Sequence, residues 1–253
     1  MSILKNKVKK IITDLIDENS YHVMAYMKNK EAFGHMKGVN NGKSIVLCGA
    51  GPSLKEYEPI SNAIHVALNR AILYEKVKFD YMIADDWDGI DFIQKEVTDY
   101  QCQKFFGMCI GADYGRRIPN LFIQKNNASS YVTDSYYIRN GFDSKFVVDI
   151  DSHAVGNMPN IALEAMQILL FTNPEKIYLV GCDCSSGHFV QPSSLSKERI
   201  KNQEKDLKKC ISGDATINKW LELKEFAKFF YPETEIVSIN PVGLKGIFTD
   251  VYQ

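Results

Sequence analysis

One stretch of sequence predicts the fold of this protein. It consists of Ser44-Ile-Val-Leu-Cys48 followed directly by Gly49-Ala-Gly-Pro-Ser-Leu54. A short apolar run that ends in a glycine turn is typical of a buried strand. Pro52 suits the first position of a helix and Ser53 can cap one, so we expect a helix to begin here. The stretch therefore predicts a strand, a turn and a helix of an α/β domain.

Other apolar runs alternate with helical patterns along the chain. The sequence predicts further strands at 65–68, 79–84, 104–109, 144–148 and 176–180, a last strand at 235–239, and helices at 22–33, 157–171 and 218–230. Strands that alternate with helices predict one mainly parallel sheet with helices on both faces. We expect a single Rossmann-like domain over residues 43–253, preceded by an N-terminal helical extension over residues 1–42.

Two segments outside this pattern carry predictions of their own. Residues 3–17 combine apolar residues at helical spacing with several lysines. This pattern fits a surface helix packed on the domain, and it also fits peripheral contact with an anionic membrane surface. Residues 190–213 are polar and rich in lysine without periodic apolar positions, which is typical of a lid or a binding loop.

The composition excludes several classes of protein. Of the 253 residues, 45% are hydrophobic. The chain has 30 basic and 31 acidic residues, so its net charge is −1. This balance gives no electrostatic reason to expect nucleic-acid binding. The six cysteines lack the spacing of a disulfide framework, and no apolar run reaches the ~18 residues of a membrane span. We expect a cytoplasmic protein with free thiols. If residues 3–17 bind lipid, the protein would lie at the inner face of the membrane. The sequence does not decide whether the protein forms homo-oligomers.

Polar residues follow the ends of four predicted strands. These groups are Gly49–Ser53, Asn69, Asp85–Asp88 and Gly181–His188. Because the carboxyl ends of parallel strands meet at one edge of a sheet, we expect these groups to form a single active site.

Two of these groups have both a binding and a structural interpretation. Through its backbone amides, the turn formed by Gly49, Ala50, Gly51, Pro52 and Ser53 could approach a phosphate, although any tight strand-to-helix turn requires glycine. It lacks the third glycine of a dinucleotide fingerprint and the Gly-Lys of a Walker loop. The carboxylates of Asp86 and Asp88 could hold Mg²⁺, or they could belong to a solvated acidic turn.

Two histidines are candidates for a general base. His188 follows a strand end and His153 precedes a predicted helix, so each could deprotonate a hydroxyl, although a single histidine is more often structural. Cys182 and Cys184 lie near His188, but a one-residue gap between cysteines is poor for a tetrahedral zinc site.

Two segments of the chain resemble a known superfamily. Val46-Leu-Cys-Gly-Ala-Gly-Pro-Ser-Leu54 resembles the Gly-x-Gly-Pro-Ser-Leu opening of bacterial sialyltransferases that decorate lipooligosaccharide. It is equally similar to the motility-accessory-factor glycosyltransferases and to archaeal 6-hydroxymethylpterin pyrophosphokinase-like proteins. Ala154-Val-Gly-Asn157 and Ile177-Tyr-Leu-Val-Gly-Cys-Asp183 resemble the second signature of the superfamily.

The resemblance implies roles for particular residues. In the sialyltransferases a CMP-sugar donor lies over the glycine turn and an asparagine after the second strand contacts the nucleotide, so these roles fall to the turn and to Asn69. We also expect Asp86, Gly156 and Asn157 to help bind the donor.

The catalytic residues follow from the same resemblance. Sialyltransferases are thought to invert the anomeric centre with a histidine base, but the matching region here, Ile211-Ser-Gly-Asp-Ala215, lacks histidine. The accessory-factor relatives carry a histidine shortly after the Gly-x-Asp segment. Asp183 and His188 are therefore the expected catalytic residues, with His153 as the rival base.

The predicted function is an inverting glycosyltransferase that uses a nucleotide-activated sugar, with CMP as the suspected carrier, to modify a surface glycan. No tightly bound cofactor is expected. One alternative is a Mg²⁺-dependent ATP pyrophosphokinase, because Asp86-Trp-Asp-Gly89 is similar to the Asp-Leu-Asp-Gly motif of the pterin branch; Asp86 and Asp88 would then bind the metal. A non-catalytic nucleotide-binding protein of the same fold is the other alternative.

Overall fold

Eight parallel strands form the central sheet of the computed structural model, which describes residues 22–84, 100–110, 134–140, 144–185, 187–189 and 214–253. The strands are β1 (Ser44–Cys48), β2 (Ile64–Leu68), β3 (Tyr81–Ala84), β4 (Gln103–Ile110), β5 (Asp134–Asn140), β6 (Lys176–Val180), β7 (Glu235–Ile239) and β8 (Thr249–Val251). Their order across the sheet is β5-β4-β3-β2-β1-β6-β7-β8. The chain therefore builds the sheet outward in one direction from β1 to β5, and then in the other direction from β6 to β8.

Helices of two kinds cover the sheet in the described part of the chain. The α-helices are α1 (22–33), α2 (Ile161–Phe171) and α3 (Asp214–Phe230), and two short 3₁₀ helices span Pro52–Glu56 and Asn69–Leu73. Helix α2 begins where the Asn160 side chain accepts a hydrogen bond from the Leu163 N–H at 3.0 Å. It ends before Asn173, which has a φ of 54°, and Pro174, which cannot continue a helix.

Alternate residues of each strand enter two different cores. On one face, Ile45 and Leu47 of β1 pack in the same cluster as Phe33 of α1, Met166 of α2 and Trp220 of α3. On the other face, Val46 and Cys48 join the two 3₁₀ helices through Leu54 and Ile72. Burial of such side chains contributes about 1.5–3 kcal/mol each, so both faces of the sheet stabilise the fold. The prediction of an α/β domain around a parallel sheet is confirmed.

The fifth strand and the C-terminal tail differ from the prediction. Residues 144–148 form no strand, and β5 is the segment Asp134–Asn140 instead. The backbone of Val147 donates to the side chain of Gln167 on α2 at 3.2 Å, so a side chain satisfies this N–H. After β7 the chain adds the edge strand β8, which the sequence analysis did not predict.

Three helix starts also differ from the prediction. Helix α3 already includes Asp214, whereas the sequence predicted a start at residue 218. The helix expected after the glycine turn is a 3₁₀ helix of five residues, with Gly51 rather than Ser53 at its N-cap. Helix α2 begins at Ile161 rather than at residue 157.

The lysine-rich segments at residues 3–17 and 190–213 both lie outside the described residues, so the helix predicted for the first and the lid predicted for the second remain predictions. Residues 22–42 pack against the domain, because Phe33 and Met36 belong to the core and the Asn29 side chain accepts from the Ile138 N–H at 2.7 Å. The boundary at residue 42 also remains a prediction. No helix in the described ranges is long and apolar enough to cross a membrane.

Candidate active site at the carboxyl edge of the sheet

The order of the strands places the topological switch point of the sheet between β1 and β6, which is where open α/β sheets have their ligand crevice. The connection that follows β1 leads to one side of this point, and the connection that follows β6 leads to the other side. The glycine turn (residues 49–53) leaves β1 here, and Gly181 begins the segment that leaves β6. The two segments meet, as the sequence predicted, whereas Asp85–Asp88 lie outside the described residues.

Most backbone N–H groups of the glycine turn donate hydrogen bonds to other parts of the protein. The Gly49 N–H donates to the Val180 carbonyl at 2.7 Å, and the Gly51 N–H donates to the Gly181 carbonyl at 2.9 Å. The Ser53 N–H donates to a carboxylate oxygen of Asp183 at 2.9 Å, and Pro52 has no N–H. Three of the four N–H groups of the turn therefore hold the β6 segment.

Asp183 fixes the position of the turn. Its side chain also accepts a hydrogen bond from the Ser53 hydroxyl, its carbonyl accepts from the Gly243 N–H at 2.9 Å, and the residue is only 5% exposed. A side chain at Gly51 would place its Cβ 2.5 Å from the Asp183 carboxylate, and one at Gly49 would collide with the Gly181 carbonyl. These close approaches explain both glycines of the turn.

His188 lies against the glycine turn. The N–H of the next residue, Phe189, donates to the Ala50 carbonyl at 2.9 Å, and the His188 ring forms a hydrogen bond with the same carbonyl. Burial and, to a smaller extent, the positive charge of Arg70 lower the pKa of His188 to about 4, while the hydrogen bond to Ala50 opposes both. The imidazole is therefore neutral at pH 7, which is the protonation state that a general base requires.

Asn69 and Arg70 follow β2, the neighbour of β1. Asn69 has a φ of 46°, a conformation that asparagine tolerates better than most residues. Its side-chain oxygen is buried and accepts no hydrogen bond from the described residues. Arg70 is only 8% exposed, and its charge acts on His188. The sequence analysis missed Arg70; its place directly after Asn69 at a strand end was the available signal.

The other predicted site residues lie in a separate group beside β5. Asn157 accepts from Arg139 at 2.8 Å, Arg139 donates to Glu164 at 2.7 Å, and Glu164 also accepts from the Tyr137 hydroxyl at 2.7 Å. We call these four residues the Glu164 cluster. β5 is four strand spacings, or about 19 Å, from β1.

Gly156 and His153 lie on the same side of the molecule. Gly156 exchanges two hydrogen bonds of 3.1 Å with the Gln167 side chain, and His153 is exposed beside Ser152 and Asp149. The structure therefore does not bring these two residues, or Asn157, together with the glycine turn.

The described residues contain no group of three or more potential metal ligands. Burial raises the pKa of the thiols of Cys48 and Cys182, and it raises the pKa of Cys184 to about 11. These thiols are therefore protonated at neutral pH, whereas a soft metal binds thiolates. Asp86 and Asp88 lie outside the described residues, so the predicted Mg²⁺ site remains a prediction.

Comparisons with known proteins identify the fold through solved structures. Neither protein-family models nor curated protein sequences give a match to this chain. The fold is similar to that of the Campylobacter jejuni sialyltransferase CstII in complex with CMP-3FNeuAc, a substrate analogue: the TM-score is 0.51 at 14% identity, over 83% of this chain and 86% of CstII. A Cst-II variant in complex with CMP gives a TM-score of 0.50 at 13% identity, over 78% of this chain and 80% of the other. The protein has the fold of the sialyltransferases that the sequence resembles.

Proposed function

We propose that the protein is a glycosyltransferase that transfers a sugar from a CMP-linked donor to a glycan acceptor. The observation that carries this proposal is the similarity in fold, over most of both chains, to a sialyltransferase bound to a CMP-sugar analogue. The crevice between β1 and β6 supports it, because the predicted donor-binding turn, Asn69 and His188 meet there.

Each polar group of the crevice suits one part of this reaction. The buried oxygen of Asn69 is a hydrogen-bond acceptor, so it binds an N–H or O–H group of the nucleoside. Asp183 is a positioning residue, because its carboxylate is bound to Ser53 and holds the glycine turn. His188 is the general base.

In the proposed reaction, a hydroxyl oxygen of the acceptor forms a bond to the anomeric carbon of the donor sugar. The bond between that carbon and the phosphate oxygen breaks, and CMP leaves with the electron pair. The proton of the hydroxyl passes to the neutral imidazole of His188. A single displacement of this kind inverts the anomeric centre.

The first test is a panel of CMP, CDP, UDP, GDP and ATP, each with and without Mg²⁺, followed by thermal unfolding. A ligand at 100 times its dissociation constant stabilises the folded state by about 2.7 kcal/mol, which is easily measured. We expect CMP to stabilise the protein without Mg²⁺, and CMP-linked sugars to be cleaved in the presence of a glycan acceptor.

Other outcomes of the panel distinguish the remaining hypotheses. Stabilisation only by ATP with Mg²⁺, and loss of this response in Asp88→Ala, would favour the pyrophosphokinase. Binding of CMP without turnover of any CMP-sugar would favour a nucleotide-binding protein without catalytic activity. No stabilisation by any nucleotide would contradict all three.

A further inference from the structure

The glycine turn cannot supply the usual binding site for a nucleotide phosphate. Backbone N–H groups of a glycine-rich turn normally bind the phosphate oxygens. Here Gly49, Gly51 and Ser53 already donate to the segment after β6, and the acceptor of the Ser53 N–H is a carboxylate. A phosphate that approached Ser53 would meet the negative charge of Asp183, so another group must neutralise the donor phosphate.

The described loops after β1, β2 and β6 contain four lysine or arginine side chains, of which Lys55, Lys76 and Lys78 are exposed and Arg70 is buried. Lys55 is exposed on the 3₁₀ helix after the glycine turn, whereas Arg70 is only 8% exposed and follows Asn69. The positive charge of Arg70 reaches His188, which itself lies on the Ala50 carbonyl of the turn. Arg70 is therefore the buried cation of these described loops, and its charge acts on the proposed base.

We propose that Arg70 binds the phosphate of the CMP-linked donor and of the departing CMP, while Asn69 contacts the nucleoside. This inference rests on the proposed function and adds to it the group that neutralises the phosphate. A guanidinium has five N–H donors in a planar fork, so one arginine can bind a phosphate oxygen in addition to a partner within the protein. Cleavage of the donor also creates a second negative charge on the phosphate, and a fixed cation stabilises that charge as it develops.

The same arrangement strengthens the base when the donor is bound. Arg70 disfavours protonation of His188 in the free protein, and a bound phosphate offsets the charge of Arg70. The pKa of His188 therefore rises once the donor is in place, although burial, the larger cause, still lowers it. Phosphate binding and proton acceptance are linked through one arginine.

The experiment compares CMP with cytidine, which differ by the phosphate alone. Calorimetric titrations use the full-length protein, Arg70→Met and the matched control Lys55→Met, which removes an exposed cation from the neighbouring loop. We expect the wild-type protein and Lys55→Met to bind CMP more tightly than cytidine. In Arg70→Met this preference should fall by about 10- to 100-fold, with the affinity for cytidine unchanged.

The outcomes separate this inference from the proposed function. If the wild-type protein binds neither CMP nor cytidine, the proposed function fails and the inference fails with it. If CMP binds more tightly than cytidine and Arg70→Met keeps the full preference, only the inference is overturned. An equal loss in Lys55→Met would also overturn it, because general electrostatic attraction would then explain the preference.

A second measurement applies if Arg70→Met does not fold. Arg70→Lys keeps the charge and loses the planar guanidinium, so we expect a partial loss of the preference for CMP. In the wild-type protein, inorganic phosphate should compete with CMP but not with cytidine, at constant ionic strength set by chloride. Full retention of the preference in Arg70→Lys together with no competition by phosphate would overturn the inference.

Discussion

The glycine-turn region and the Glu164 cluster both place buried polar groups at the carboxyl ends of strands, yet they differ in what they leave unpaired. In the Glu164 cluster the carboxylate accepts from both Tyr137 and Arg139, and the Glu164 side chain has 0% exposure. Near the glycine turn the oxygen of Asn69 is buried and has no hydrogen-bond donor among the residues that the structure describes, and burial keeps His188 neutral at pH 7. The carboxylate of the Glu164 cluster is hydrogen-bonded within the protein, whereas the glycine-turn region has a buried acceptor that we propose binds a ligand.

This difference assigns separate roles to the two segments that resemble the superfamily. A buried carboxylate with charged and neutral donors around it fixes the packing of α2 against β5. A buried acceptor without a partner carries a free-energy cost that a bound ligand removes. We therefore propose that the Glu164 cluster stabilises the fold and that the glycine-turn region serves binding and catalysis.

The largest expected effect is that of His188→Ala on turnover. Loss of a general base typically lowers kcat by about 10²–10⁴-fold, or about 3–5 kcal/mol of activation free energy. We expect this loss with little change in CMP affinity, measured by steady-state kinetics and calorimetry. His153→Ala, at an exposed histidine beside β5, is the control and should leave turnover unchanged; an equal loss in both variants would contradict the assignment of the base.

The next largest effect is that of Glu164→Gln on stability. The substitution leaves the Arg139 charge, whose side chain is 11% exposed, without its carboxylate. Removing one partner of a buried ion pair costs about 3–5 kcal/mol, and we expect this loss in urea unfolding. Glu222→Gln is the control, because Glu222 pairs with Lys219 and its side chain is 55% exposed. A loss below 1 kcal/mol for Glu164→Gln would show that the cluster does not hold the fold.

Asp183→Asn should have a smaller effect on stability. The neutral amide weakens the hydrogen bonds from the Ser53 N–H and hydroxyl, and we expect a loss of about 1–3 kcal/mol in urea unfolding. Asp149→Asn is the matched control, because its side chain is 56% exposed and lies 3.6 Å from Lys37. If the two variants lose equal stability, the carboxylate of Asp183 does not fix the turn.

The sequence predicted the central strands because their apolar residues are consecutive and end at glycine or polar turns. It misplaced the fifth strand, because residues 144–148 have the apolar character of a strand, but the Val147 N–H donates to the side chain of Gln167 instead of to a neighbouring strand. It could not predict β8, because three largely exposed residues carry no apolar pattern.

The glycine turn, Asn69 and His188 were identified from their positions after strands, and the structure brings them together. Three features could not be predicted from the sequence. The hydrogen bond between Asp183 and Ser53 joins residues 130 positions apart, and Arg70 lies outside every quoted motif. The distance of Asn157 from the glycine turn depends on the order of the strands.

The smallest effect concerns the pH dependence of His188. A folded-state pKa of about 4, against an ordinary value of 6.5, means that the unfolded chain binds more protons between these two values. The contribution of His188 to stability is therefore fully present above pH 6.5 and is lost as the pH falls toward 4. The same group stays an unprotonated base down to about pH 4 in the free protein.

An NMR titration of the histidine side chains measures this pKa directly, with the His188 signal assigned by its absence in His188→Ala. We expect a midpoint near pH 4 in the wild-type protein. In Arg70→Met the midpoint should move upward, because the positive charge that disfavours protonation is gone, although burial still holds it below 6.5. A wild-type midpoint near 6.5 would contradict the burial of His188 in the crevice. A midpoint that does not move in Arg70→Met would show that the two side chains are electrostatically independent, and the glycine-turn region would then lose its proposed link between phosphate binding and proton acceptance.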